Sequence, residues 1–182
     1  MSDSVLEQWL ARENEVRALY AQGTGTGTGS NDLEDIRTQT GLALMQGMMN
    51  GTRPGPSISK TMDFLLVEVA SGHAVFQGTP GEKYFNPMGT VHGGWYATLL
   101  DSALGCAVHT LMPAGRAYTT SQLNVNLVKA IGPKVQRVRA EGKVVHCGRQ
   151  LATAEARLYG PDGTLYAHAT TTCLVFDIPT KS

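Results

Sequence analysis

The sequence predicts an α+β fold in which a curved antiparallel β-sheet wraps around one long central helix, with an extra helical extension at the N-terminus. Three observations carry that expectation. Residues 92 to 109 are an apolar stretch of helical length with almost no polar side. Two strand-like runs precede it and four follow, separated by turn residues. A helix that is hydrophobic on most sides has to be enclosed, and here only strands are available to enclose it.

The elements follow in chain order. "SVLEQWLARENEVRALYA", residues 4 to 21, has helical spacing, and Val5, Leu6, Leu10, Val16 and Leu19 share one broad face. "GTGTGTGS", residues 23 to 30, reads by composition as a flexible linker. It is not a phosphate loop: counted from Gly23, the third glycine of a dinucleotide fingerprint falls on Thr28, and no strand precedes it. Asn31 and Glu34 have capping-box spacing. Acids at Asp32, Glu34 and Asp35 suit the positive end of a helix dipole. One helix is therefore expected from there to about Asn50, ended by "GTRPGPS". Its Met45, Met48 and Met49 fit two readings, simple packing or a lid over an acyl pocket.

From Thr61 the pattern turns to strands. "MDFLLVEV" and "HAVFQGT" flank a Ser-Gly turn, and "EKYFNPMGTV" is a loop into the central helix. After "MPAG" come four more strands, broken by "GP", "CG" and "PDG". The expected organisation is a helical arm over 1–22, a linker over 23–30, a helix and loop over 31–60, and the main domain over 61–178. Removal of residues 1–30 is then expected to leave folding and activity in place.

Fifteen basic and fifteen acidic residues cancel, so no net field draws in nucleic acid or an anionic membrane. Cys106, Cys147 and Cys173 are odd in number and lie in apolar or strand-like runs. They read as buried free thiols in a reducing compartment, and no C-x-x-C pair suggests a metal. The N-terminus carries acids where a signal peptide needs an apolar run, and no run reaches membrane-spanning length. The expected location is the cytoplasm.

The chemistry concentrates in "GTVHGGWYATLLDSALGCA", residues 89 to 107. Between Tyr84 and Gly115, Asp101 is the only acid and no Lys or Arg occurs. A lone carboxylate in such a helix is costly unless something satisfies or uses it. Either a hydroxyl such as Thr98 or Ser102 holds it, or it is catalytic. At the other end, Gly93 and Gly94 leave the free N–H groups of the first turn open to a developing oxyanion. Asn86 offers an amide just before. His92 has two readings, a catalytic imidazole or a helix cap. Gly93 and Asp101 lie about 12 Å apart along the axis, too far to serve one carbonyl. Two antiparallel copies related by a two-fold axis would bring them together, so a shared site in a homodimer is expected.

"NPMGTVHGGWYATLLDSALGCAVH", and the β-rich tail "YTTSQLNVNLVKAI…TTTCLV", resemble the hotdog-fold acyl-CoA thioesterases of the phenylacetate-degradation type, in the 4-hydroxybenzoyl-CoA thioesterase-like superfamily. The resemblance covers about residues 61 to 177. It implies hydrolysis of an acyl-CoA to free acid and CoA with no metal or cofactor. Asp101 matches the base or nucleophile, Gly93 the oxyanion donor and Asn86 the residue contacting the thioester or water. Thr120, with Thr119 and Ser121 as rivals, matches the hydroxyl that helps place the water. The family builds this site across a dimer and often pairs dimers into tetramers. His92, Gly94 and Trp95 fall in the substrate-binding region. Trp95 and Tyr96 depart from the smaller aliphatics common there and would narrow the pocket, stack on an aromatic acyl group or simply fill the core. Lys129 and Arg149 are candidates for CoA phosphates. Two other classes stay open, a non-catalytic acyl-CoA binding protein and a hotdog dehydratase or hydratase.

Overall fold

The computed structural model describes residues 2–23 and 33–179. The elements run α1 (Ser2–Gln22), α2 (Leu33–Thr38), α3 (Gly41–Met49), α4 (Ser57–Met62), β1 (Phe64–Ala70), β2 (His73–Gly78), α5 (Gly93–His109), β3 (Arg116–Leu127), β4 (Val138–Cys147), β5 (Leu151–Tyr159) and β6 (Leu165–Asp177). A single 3-10 turn, Glu82–Tyr84, precedes α5. All six strands form one antiparallel sheet in the order β1-β2-β4-β5-β6-β3. The sheet wraps α5, as expected from the two-strand, helix, four-strand order.

Alternation decides which face of the sheet meets the helix. On β5, Ala152, Ala154, Ala156 and Leu158 are buried while their neighbours point outward. Small side chains at these positions let α5 approach closely. Its Leu99, Leu100, Ala103, Leu104, Ala107 and Val108 are all fully buried. No helix among the described residues is long and apolar enough to cross a membrane. All three cysteines are free, but only Cys173 is buried as expected; Cys106 is half-buried and Cys147, at the end of β4, is exposed.

Several expectations are corrected. The single helix expected to end near Asn50 is two helices, α2 and α3, with a break at Gln39–Thr40. Thr40 caps α3, its hydroxyl accepting from the Ala43 N–H at 3.3 Å. Gly41 packs so tightly on the end of α5 that a Cβ there would lie 1.8 Å from the His109 carbonyl oxygen, so the chain has to turn where it does. The proposed cap at Asn31 lies outside the described residues, as does the linker over 24–30. Leu44, Met45 and Met48 of α3 are core residues, which favours packing over a lid.

The N-terminal helix buries most of the expected face, with Val5, Leu6 and Leu10 half-buried, but the buried side is shifted away from its C-terminal end. Leu19 is exposed, whereas Trp9, Glu13 and Val16 are buried. Glu13 accepts from Gln77 Nε2 at 2.7 Å and pairs with Arg137 at 2.7 Å and Arg17 at 2.8 Å. Burial raises its carboxyl, but Arg137, Arg17 and Gln77 together outweigh that and hold it below the ordinary glutamate value. Arg139 stacks on Trp9 at 4.6 Å and pairs with Glu68 at 2.6 Å. The helix is thus docked on the outer face of the sheet by a buried polar network. The truncation expectation reverses accordingly. Removing residues 1–30 takes Glu13 from Gln77 and Arg137 and Trp9 from Arg139, and is expected to cost about 3 kcal/mol or more. Urea unfolding of full-length and truncated protein, with Glu13→Ala as an intermediate case, measures this; equal midpoints would show that the docked helix contributes nothing.

Candidate active site

The central helix is not evenly covered. Gly94 is exposed, and Ala97, Thr98, Asp101, Ser102 and Cys106 are half-buried, while the rest of α5 from Trp95 onward is buried. These positions recur every three or four residues, so they form one stripe along the helix. Asp101 stands on it. The Thr98 hydroxyl donates to the Gly94 carbonyl at 2.9 Å and the Ser102 hydroxyl to the Thr98 carbonyl at 2.8 Å. Neither is spent on the acid. Instead Thr120 Oγ1 on β3 donates to Asp101 Oδ1 at 3.1 Å.

A β-bulge lies at this point. Thr120 pairs with Cys173, but Gln122 pairs with Thr172, so Ser121 is the extra residue. Ser121 donates to the Thr172 carbonyl at 3.1 Å, and Thr119 is exposed. Of the three hydroxyls, only that of Thr120 reaches the acid.

The neighbours of Asp101 are weak acids held in their protonated forms. Burial, with Asp101 adding to it, pushes the Cys106 thiol up to about 12. Burial raises Tyr118 well above the ordinary phenol value, with Cys106, Cys173 and Asp101 contributing. Cys173 is raised as well, by burial first. A thiol that stays protonated is a poor nucleophile at neutral pH, so Cys106 and Cys173 are not set up to attack on this face. The Tyr118 part of the environment escaped the sequence reading. Its ring lies 5.6 Å from that of His109, and its hydroxyl fills the space over Gly105. Strand alternation could have found it, because Tyr118 and Thr120 are two residues apart and share a face.

At the N-terminal end, His92 is the cap of α5. Its Nδ1 accepts from the Gly94 N–H at 2.9 Å. His92 therefore fills the capping role through Nδ1, and the Gly94 N–H is not a free donor. The Gly93 N–H has no partner among the described residues. Asn86 organises its own loop: Oδ1 accepts from the Met88 and Thr90 N–H groups at 2.9 and 3.3 Å, and Nδ2 donates to Thr90 Oγ1 at 3.0 Å. One Nδ2 hydrogen remains for a ligand.

Trp95 belongs to the core. It is 2% exposed, and its indole N–H donates to the Met62 carbonyl at 2.9 Å. The Tyr96 hydroxyl is also committed: it donates to the Lys129 carbonyl at 3.2 Å and accepts from the Ile131 N–H. Lys129 and Arg149 are both exposed but are not brought together. Lys129 follows the end of β3, whereas the Arg149 carbonyl accepts from Arg116 at its start. They are separated by roughly the 36 Å length of the strand.

Residues 88–167 match the family model described as the thioesterase superfamily. A Halobacterium salinarum protein provisionally named an esterase is 34% identical over 91 residues, half of this chain; the match spans 56% of that protein's length. A variant of the phenylacetic acid degradation protein of Thermus thermophilus shares the architecture with 26% identity and a TM-score of 0.59, over 64% of this chain and 96% of that one. A thioesterase protein of Streptococcus pneumoniae, solved with coenzyme A, is similar with 25% identity and a TM-score of 0.57, over 64% and 88% of the two chains. On the matched residues and the shared architecture together, this chain has the hotdog fold and is similar, over residues 88–167, to the thioesterase superfamily.

Proposed function

We propose that the protein is an acyl-CoA thioesterase whose sites are shared between two copies of the chain. Asp101 either takes a proton from the attacking water or itself adds to the thioester carbonyl, forming an anhydride that water then opens. In both routes the carbonyl oxygen becomes negative, and the Gly93 N–H at the positive end of α5 stabilises it. The C–S bond breaks, the CoA thiolate takes up a proton, and the free acid leaves. Thr120 orients the Asp101 carboxylate, and Asn86 contributes its remaining amide hydrogen.

The observation that carries this reading is the pairing of Asp101 with Thr120 on the open stripe of an otherwise buried helix, with the Gly93 N–H unpartnered eight residues away. Dimerisation has its own support. β3 is a free edge of twelve residues, mostly exposed or half-buried, beside the open stripe of α5. Long uncovered edges are ready templates for strand pairing. The coenzyme A in the Streptococcus pneumoniae structure supports CoA thioesters as the substrate class.

The direct test is release of free thiol from a panel of aromatic and aliphatic acyl-CoAs. Binding without thiol release would identify a non-catalytic carrier, and an enoyl product would identify a dehydratase or hydratase. Within a thioesterase, Thr120→Val is expected to lower kcat about tenfold with little change in KM, because it removes one hydrogen bond that aims the carboxylate. Unchanged kcat would remove Thr120 from the site.

A further inference from the structure

A cavity of about 480 Å³ lies at the β1 edge of the sheet, between α1, α3 and α4. That is within the range of about 300–1,000 Å³ for small-molecule sites. Its floor is apolar: Met48, Phe64, Leu66 and Phe76 line it, and the two phenylalanine rings meet edge to face at 5.7 Å. All these residues precede position 88, outside the stretch that matches the thioesterase superfamily. The cavity is built jointly by β1 and β2 of the sheet and by the helices that precede them.

Its polar lining is unusual in one respect: three donors have no acceptor. The Ser59 hydroxyl is buried without a hydrogen-bond partner. The Tyr20 hydroxyl and the Lys60 ammonium also have none among the described residues. Burial raises the Tyr20 phenol, so it remains a donor at neutral pH. The other charges of the lining are already matched. Asp63 lies 3.6 Å from Arg17 and 3.7 Å from Lys83, and Arg17 also pairs with Glu13 at 2.8 Å. An apolar floor beside two hydroxyl donors and a free ammonium is complementary to an anion with a hydrocarbon body.

We propose that this cavity binds an amphipathic monocarboxylate, with its hydrocarbon part on Met48, Phe64, Leu66 and Phe76 and its carboxylate received by Tyr20, Ser59 and Lys60. The site is separate from the Asp101 face. It does touch the oxyanion end of α5 through α4: the Met62 carbonyl accepts from the Trp95 indole and the Thr61 carbonyl from the Tyr84 hydroxyl at 3.0 Å.

Octanoate is a suitable probe, titrated into the full-length protein by isothermal calorimetry beside octylamine. One octanoate per chain is expected, with octylamine at least tenfold weaker. Lys60→Gln and Tyr20→Phe are each expected to weaken octanoate about tenfold. Met48→Trp, which fills the floor, is expected to abolish binding, with circular dichroism to check its fold. Asp101→Asn is expected to leave octanoate affinity unchanged. The proposal is overturned if octanoate does not bind, if octylamine binds equally well, or if affinity responds to Asp101→Asn and not to Lys60→Gln. Because the readout is binding, failure here is distinguishable from failure of the thioesterase reading.

Discussion

Asp101→Asn is expected to keep the fold and acyl-CoA binding while losing about 10² to 10⁴ in turnover, and more if the carboxylate is the nucleophile. The structure makes this a clean substitution. Asn has the same shape, and its Oδ1 can still accept from the Thr120 hydroxyl that now meets Asp101 Oδ1 at 3.1 Å. The side chain is half-buried on an open stripe and supports no helix packing. What disappears is the negative charge and the capacity to take a proton or to attack. The nearby thiols offer no substitute, because burial holds Cys106 and Cys173 protonated. Thiol release from an acyl-CoA by a folded sample of the variant measures the effect. Near-normal turnover would sink the assignment of Asp101.

Complementation between two inactive chains is expected to restore up to about half of the activity per mixed dimer. One chain carries Asp101→Asn and the other Gly93→Pro, which deletes the proposed oxyanion N–H. Each homodimer lacks one component in both sites. In the mixed dimer one site holds both lesions, and the other pairs the intact Gly93 of the first chain with the intact Asp101 of the second. Proline is tolerated at Gly93. It is the first residue of α5, where proline fits, and His92 before it has the extended backbone that proline requires, with φ −63° and ψ 138°. An added Cβ would come within 2.9 Å of Leu127 Cδ1, the far end of a side chain that is 55% exposed and free to move. If subunit exchange is demonstrated and activity does not return, each site is built from a single chain and the two-copy site fails.

Local pattern carried much of this protein. The period-two alternation of β5, the turn residues between the last four strands and the apolar length of α5 all follow from short-range sequence, and each appears where expected. The acid was legible for a similar reason: Asp101 is chemically alone between Tyr84 and Gly115. Its partner was narrowed to three adjacent hydroxyls but not chosen among them. The choice depends on the bulge between Thr120 and Gln122, which exists only in the pairing of β3 with β6.

The N-terminal sixty residues mark the limit from the other side. Helical periodicity identified α1 and, through Val5, Leu6, Leu10 and Val16, much of its buried side, but not its polar part. Its apolar residues suggested a face through Leu19, whereas the sheet offered Gln77, Arg137 and Arg139, and burial followed Glu13 and Trp9 to meet them. The break between α2 and α3 was likewise set by contact, at the point where Gly41 meets the His109 carbonyl. The sequence by itself determined which elements form and which residues are chemically exceptional, because both depend on neighbours along the chain. Tertiary structure alone decided which hydroxyl meets the acid and where the N-terminal helix docks, because those outcomes rest on distances between residues far apart in sequence.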